Sequence, residues 1–285
     1  MNHDLLISAE QLQQLLASKT PVRIFDCTFD LTDPAVGHQQ YLESHIPGAV
    51  YAHLDTALSD KHGTGVSGGR HPLPSREKFA IWLSNVGLAN DMQAVVYDRN
   101  GANYCGRLWW MLKWAGHNSV AVLDGGLQAW QAANGTINSG EEPTHFQTSF
   151  VLSPEIAKLI ATKTVADNLG RPIQTLVDAR GAPRFRGEVE PLDPIAGHIP
   201  GALNRPFAQN MGADGKFKPA QQLKAEFETL LAGRDPASVV HHCGSGVSAV
   251  PNILAMQIAG LGMTGLYAGS WSDWCSDASR PMAQG

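Results

Sequence analysis

Cysteine is scarce: four in 285 residues, at positions 27, 105, 243 and 275. They are too few and too scattered for a disulfide framework or a paired-cysteine zinc site. Long apolar runs are missing as well. The longest, Leu108 to Leu112, stops at Lys113, far short of the ~20 residues a membrane helix needs. Nor is there an excess of basic charge, since 21 Lys and Arg face 26 Asp and Glu, giving a net charge of −5. That balance supplies no basic face for a phosphate backbone, so nucleic acid is excluded as a partner. The opening MNHDLLISAEQ lacks a basic region ahead of an apolar core, so no secretory signal is read. A hydrophobic share of 43% and a charged share of 16% are those of an ordinary globular chain, which excludes disorder and coiled coil. The expected class is a cytoplasmic protein without metal, cofactor or membrane partner, long enough for two domains.

What is present is repetition. His45-Ile46-Pro47-Gly48-Ala49 recurs as His198-Ile199-Pro200-Gly201-Ala202, and Asp124-Gly125-Gly126-Leu127-Gln128-Ala129-Trp130 is echoed by Ala268-Gly269-Ser270-Trp271-Ser272-Asp273-Trp274. Val22-Arg23-Ile24-Phe25-Asp26 before the first pentapeptide matches Thr175-Leu176-Val177-Asp178 before the second. So long a period means two copies of a whole domain, not a solenoid. The boundaries expected are residues 1–137 and 151–285, joined by a Gly/Ser/Glu/Pro-rich linker at 138–150. Within each copy, buried-type strands such as Ala94–Tyr97, Val120–Leu123 and Ser238–His241 alternate with amphipathic stretches. Ser8 and Gln11 form a capping box. Ser153 before Pro154 reads as a second helix start. Leu223, Phe227, Leu230 and Leu231 line one helix that Gly233 ends. The fold class is α/β: two similar domains, each a mostly parallel sheet flanked by helices on both faces.

The chemistry concentrates in His241-His242-Cys243-Gly244-Ser245-Gly246-Val247-Ser248-Ala249, after a buried strand and before an apolar helix. That is the carboxyl end of a strand, where parallel α/β sheets bind ligands. Two glycines let successive N–H groups turn toward one anion, and the helix N-terminus adds partial positive charge. Such a cradle favours a thiolate, which is the nucleophilic form, so Cys243 is the candidate nucleophile. A metal site built on His241, His242 and Cys243 is disfavoured, because adjacent strand residues point to opposite faces. The other three cysteines read as core residues. Asp26 and Asp178, at strand ends, read as caps for backbone N–H groups.

The HIPGA pair, the DGG-x3-W and GSW-x2-W echoes and the Cys-Gly-Ser-Gly-Val-Ser-Ala loop resemble the two-domain rhodanese superfamily of sulfurtransferases. The loop is most similar to that of 3-mercaptopyruvate sulfurtransferases, with Ser248 where Thr is commoner. The resemblance implies a catalytic second copy and a non-catalytic first, in which Asp98 or Arg99 takes the cysteine position. It implies Arg184 as the clamp on the donor's carboxylate, with Arg186 beside it, and Gly244, Gly246, Val247 and Ser248 as the substrate-binding loop. Asp55 and His71 match positions beside the loop serine, Ser245, where they would relay a proton; they read equally as a loop-capping Asp and a solvent His. Asp60 to Gly69 reads as a flexible flap, and His45 and His198 as structural. A second substrate arginine, common shortly after the first, is replaced here by Leu192.

The expected function is sulfur transfer from a small-molecule donor, 3-mercaptopyruvate, through a Cys243 persulfide. The acceptor would be cyanide, a low-molecular-weight thiol or a protein thiol such as thioredoxin. Thiosulfate as donor, or a non-enzymatic regulatory module, are the alternatives. A cysteine phosphatase would place Arg six residues past Cys243, where Ala249 stands. A serine hydrolase would need Gly-x-Ser-x-Gly, which neither Ser245 nor Ser248 completes.

Overall fold

The computed structural model describes residues 3–285, which form two compact units. The first holds the chain up to Ser59, Pro74–Ile156 and Ala213–Phe217; the second holds Asp60–Leu73, Ala157–Gly212 and Lys218–Gly285. The strands of the first are β1 (Leu6–Ile7), β2 (Val22–Asp26), β3 (Val50–Tyr51), β4 (Gln93–Tyr97) and β5 (Val120–Leu123). Those of the second are β6 (Lys158–Leu159), β7 (Thr175–Asp178), β8 (Leu203–Asn204), β9 (Val239–His242) and β10 (Gly265–Leu266). Each set forms one parallel sheet, in the orders β1-β5-β4-β2-β3 and β6-β10-β9-β7-β8. The second order repeats the first strand for strand, as a duplicated domain requires.

Alternation along the strands explains the layers. In the first unit Ile24, Val95, Tyr97, Ala121 and Leu123 share a buried cluster with Leu12 and Leu15 of the helix Ala9–Ala17 and with Leu127 and Trp130 of the helix Gly126–Ala132. Phe25, one residue out of phase with Ile24, meets Trp82 of the helix Arg76–Asn85, from the opposite face. In the second unit Val240 packs with Val165, Trp271 and Trp274, while His241 meets Phe227 and Met256. Period-two side chains thus bury both faces of each sheet. No helix among the described residues is long and apolar enough to cross a membrane.

The local signals resolve unevenly. Ser8 caps Ala9–Ala17 with the reciprocal Gln11 contact. The helix Ala220–Leu231 buries Leu223, Phe227 and Leu231 and ends with Ala232 and Gly233 left-handed. Ser153 starts no helix. Its N–H donates to the Ala115 carbonyl, its own carbonyl accepts from Arg76, and its side chain sits against Gly116, so the segment is spent on contacts to other elements. The chain runs without helix into β6, and the next helix is Thr162–Asp167. His45 and His198 are structural: each Nδ1 donates at 2.8 Å to a carbonyl, of Tyr41 and Phe185, and each ring stacks on that same residue. Asp26 and Asp178 accept the N–H of Thr28 and Arg180.

Equal registers settle the position equivalent to Cys243. Asp26 opposes Tyr97 as Asp178 opposes His242, so Asp98 is the first unit's counterpart. Its buried carboxylate accepts four backbone N–H bonds, from Asn100, Ala102, Tyr104 and Cys105, at 2.8–3.1 Å. The loop wraps its own anion. Removing that acceptor strands several buried donors, each costing on the order of 1–3 kcal/mol. Asp98→Ala should therefore lower the unfolding free energy by roughly 3 kcal/mol or more in urea titration, with Asp98→Asn intermediate. A loss under about 0.5 kcal/mol would show that the loop closes without the carboxylate.

Candidate active site

β9 delivers Cys243 to the carboxyl end of the second sheet, where the chain leaves the strand. The exit is pinned from below. The Cys243 N–H donates to Ser270 Oγ at 3.1 Å, its carbonyl accepts the Trp271 N–H, and the Gly244 carbonyl accepts the Ser272 N–H. Ser270 holds this place at a left-handed φ of 57°, where the first unit has Gly126 at 59°. A serine tolerating that conformation has a hydroxyl to place: it donates to the Tyr267 carbonyl while accepting from Cys243. Gly246 has φ 75°, and any Cβ there would come within 2.3 Å of the Ala268 carbonyl oxygen, so both the conformation and the space require glycine. From Cys243 the loop reaches the helix Val250–Ile258 over the same length as from Asp98 to the helix Cys105–Trp114. Ser245, Val247 and Ala249 therefore stand where Asn100, Ala102 and Tyr104 stand. Among the described residues, their N–H groups donate to no protein acceptor.

Around this loop lies a ring of opposed charges. Arg180 grips the buried Asp178 carboxylate with Nε and Nη2 at 2.7–3.2 Å, reaches Glu190 with Nη1 and lies over the Trp271 ring. Arg184 donates to Glu190 through Nε at 3.2 Å and Nη2 at 2.6 Å, and approaches Asp193 at 3.4 Å. Burial pushes the Asp178 carboxyl up, but His242 and Arg180 outweigh it and hold the group below the ordinary carboxylate range. Glu190 is likewise lowered, burial being outweighed by Arg184 and two backbone N–H groups. Burial lowers His242 even with Asp178 beside it.

Ser245 is buried with its Oγ 2.7 Å from His71 Nδ1. His71 is itself buried and is no solvent histidine. Its segment, Asp60–Leu73, belongs to the second unit. The glycines there serve close approach as well as freedom: a Cβ on Gly69 would strike the Gly269 carbonyl, and one on Gly68 the Asp273 carboxylate. Asp55 lies in the first unit, where its N–H donates to His53 Nδ1 at 3.1 Å. Arg186 is directed to the exposed Glu188, and Leu192 is exposed on the surface. Val247 is buried and Ser248 half-buried in the loop. Burial raises the thiols of Cys27, Cys105 and Cys275 above their ordinary value. His241 and His242 turn to opposite faces, toward Met256 and Asp178.

Sequence reasoning passed over Ser270, Asp193, Glu190 and Arg70. The GSW echo of DGG carried the signal for Ser270, a serine at a glycine position. Arg70 carried none, because its segment precedes the first half's helix Arg76–Asn85 in the chain yet folds with the second unit.

A rhodanese-like domain model matches residues 8–133 and again 161–277. The chain belongs to the tandem rhodanese-domain sulfurtransferases. It is 45% identical to a probable 3-mercaptopyruvate sulfurtransferase of Pseudomonas aeruginosa, over 98% of both chains. It is 39% identical to a putative thiosulfate sulfurtransferase, SseB, of Mycobacterium tuberculosis, over 98% of this chain and 97% of that one. Among solved structures it resembles the 3-mercaptopyruvate sulfurtransferase from Leishmania major, with a TM-score of 0.82 and 30% identity over 98% of this chain and 76% of that one. In this sulfurtransferase the cysteine loop thus sits beside a fully paired arginine–carboxylate cluster.

The Asp178–Arg180 pair has almost no solvent contact, so breaking it should cost about 3–5 kcal/mol near neutral pH. Because Asp178 is held below the unfolded carboxyl value of about 3.9, its contribution is complete above that value and disappears as pH falls through the folded one. The Tm gap between wild type and Asp178→Asn should be large at neutral pH and shrink as the medium is acidified below about pH 4. A gap that stays constant under acid would show that this carboxylate does not set the difference.

Proposed function

We propose that this sulfurtransferase takes sulfur from 3-mercaptopyruvate onto Cys243 and passes it to a thiol or cyanide. The observation that carries the reading is the cysteine's position, on a loop whose counterpart encloses a carboxylate, with Arg184 close by. Arg184 Nη1 and Nη2 lie 3.6 Å from the point a Gly244 Cβ would occupy. The neighbours Gly244 and Ser245 are uncharged, which suits a carboxylate presented to arginine better than a small inorganic dianion presented to the loop. The relative named for mercaptopyruvate is also the more similar of the two compared.

The thiolate of Cys243 attacks the donor sulfur, an S–S bond forms and the C–S bond breaks. The bonding pair leaves on carbon as the enolate of pyruvate. The donor's thiol proton is lost and the enolate carbon gains one, so pyruvate and a Cys243 persulfide anion result. Ser245 and His71, in direct contact, are suited to carry that proton. The N–H groups of Ser245, Val247 and Ala249 stabilise the new anion as their counterparts stabilise Asp98. An acceptor then removes the outer sulfur, completing a double-displacement cycle.

Thiosulfate is the second reading, favoured by the 39% relative's name. The test compares kcat/KM for the two donors with cyanide as acceptor, in wild type, Cys243→Ser and Arg184→Lys. Mercaptopyruvate should be preferred, and Cys243→Ser should be inactive with both donors while remaining folded. Arg184→Lys keeps charge but loses the planar fork, so mercaptopyruvate turnover should fall about ten- to a hundredfold. Faster turnover of thiosulfate, or retained activity in Cys243→Ser, would contradict the reading.

A further inference from the structure

The first unit holds a cavity of about 320 Å³ beside its edge strand β3, lined by none of the residues assigned to sulfur transfer. That size is at the small end of ligand pockets. Part of its lining is aromatic. His38 and Tyr41 lie three residues apart on the helix Pro34–Glu43, and Tyr51 ends β3. Ring centroids are 5.0 Å apart for His38 and Tyr51 and 5.4 Å for Tyr41 and Tyr51. Both phenol hydroxyls are committed elsewhere, Tyr41 donating to the Ala49 carbonyl at 2.9 Å and Tyr51 to the Thr28 carbonyl at 3.0 Å. The two tyrosines therefore offer a ligand ring surface rather than hydrogen bonds.

The rest of the lining comes largely from Glu141 to His145, within the stretch whose composition reads as a linker. That stretch is tied to the first unit. Asn138 and His45 exchange backbone hydrogen bonds at 2.9 Å, and the Gly140 N–H donates to the Leu42 carbonyl at 2.7 Å. Glu142 Oε1 lies 3.0 Å from His45 Nε2 and accepts from Asn138 Nδ2 at 2.8 Å. Burial pushes the Glu142 carboxyl up, but the Gly48 N–H, Asn138 and His45 outweigh it and hold it below the ordinary range. Burial raises the Tyr41 phenol to about 12, and the charges of Glu142 and Glu141 add to that rise. Both carboxylates thus act on the aromatic side. No lysine or arginine lines the cavity. Arg23, which borders His145, spends Nε and Nη2 on the Gly87 carbonyl. His145 is lowered by burial and by Arg23, so it adds no charge at neutral pH.

Two carboxylates without a lining cation, set beside aromatic rings, favour a positive ligand, because ring faces attract cations. Tyrosines whose hydroxyls are already committed give an N–H donor no acceptor, so the charge is best carried inside an alkyl shell. We propose that this cavity binds an alkylated ammonium ion, its charge held by Glu141 and Glu142 and its alkyl groups against His38, Tyr41 and Tyr51. The proposal does not depend on which sulfur donor Cys243 uses. It gives the unit without a nucleophile a ligand of its own.

The experiment measures choline binding to the full chain by calorimetry at low ionic strength. The controls are sodium chloride and 3,3-dimethylbutan-1-ol, in which carbon replaces the charged nitrogen. Circular dichroism and thermal melting establish that each variant folds. Choline should bind at least about tenfold more tightly than its neutral counterpart. Glu141→Gln and His38→Leu should each weaken it about threefold or more, while Tyr51→Phe, which keeps the ring, should retain it. A second arm uses a peptide carrying trimethyllysine. Tighter binding of choline assigns the site to a free compound and tighter binding of the peptide to a protein side chain, and either result supports the ammonium chemistry. Absence of choline and peptide binding, equal affinity for the neutral alcohol, or full affinity in a folded Glu141→Gln, Glu142→Gln double variant overturns the proposal.

Discussion

A parallel strand that turns at once into a helix leaves more backbone N–H donors than acceptors at the turn, and that surplus governs this molecule. The first unit satisfies it internally, with the Asp98 carboxylate taking four N–H bonds in a buried place. The second unit builds a loop of the same length from Cys243, and among the described residues three of the four corresponding donors, the N–H groups of Ser245, Val247 and Ala249, meet no protein oxygen. One backbone device, duplicated, yields a sealed structural turn in one copy and, on the proposed function, a site for a sulfur-borne anion in the other. The difference is one side chain at a strand end.

Such a loop works only if it cannot collapse, and the surrounding contacts serve that end. Ser270 holds the cysteine N–H from a left-handed backbone position, and Gly246 allows the chain to pass against Ala268. Beyond them, Arg180 ties Asp178 at the end of β7 to Glu190, and Glu190 holds Arg184. These are buried ion pairs, whose cost of desolvation is recovered only through dense hydrogen bonding. Their arrangement fixes the arginine planes, so on the proposed function little ordering would remain for donor binding to accomplish. The binding side of the site is thereby stiffened by the same charges that would recognise the substrate.

Duplication was legible because HIPGA and the Gly-Trp echoes are set by local backbone needs that both copies share. The sheet followed from buried-strand runs, and Cys243 from its place after one of them. Ser153 misled because a Ser-Pro pair has the chemistry of a helix start, while the contacts that hold it extended, to Ala115 and Arg76, lie far away in sequence. Arg70 was invisible for a related reason. Nothing local reveals that residues 60–73 leave the unit their neighbours build, and only tertiary packing against Gly269, Ser272 and Asp193 gives that arginine its place. The gap between Asp98 and Arg99 likewise closes only through strand register.

The claim on which the account turns is that the loop over Cys243 holds a persulfide anion. The direct measurement is intact-mass and peptide-level mass spectrometry of the full chain after exposure to 3-mercaptopyruvate without acceptor. The account predicts a gain of one sulfur atom confined to the peptide containing Cys243, removed on adding cyanide. Added sulfur on Cys27, Cys105 or Cys275, or catalytic turnover with no sulfur retained on the protein, would contradict it.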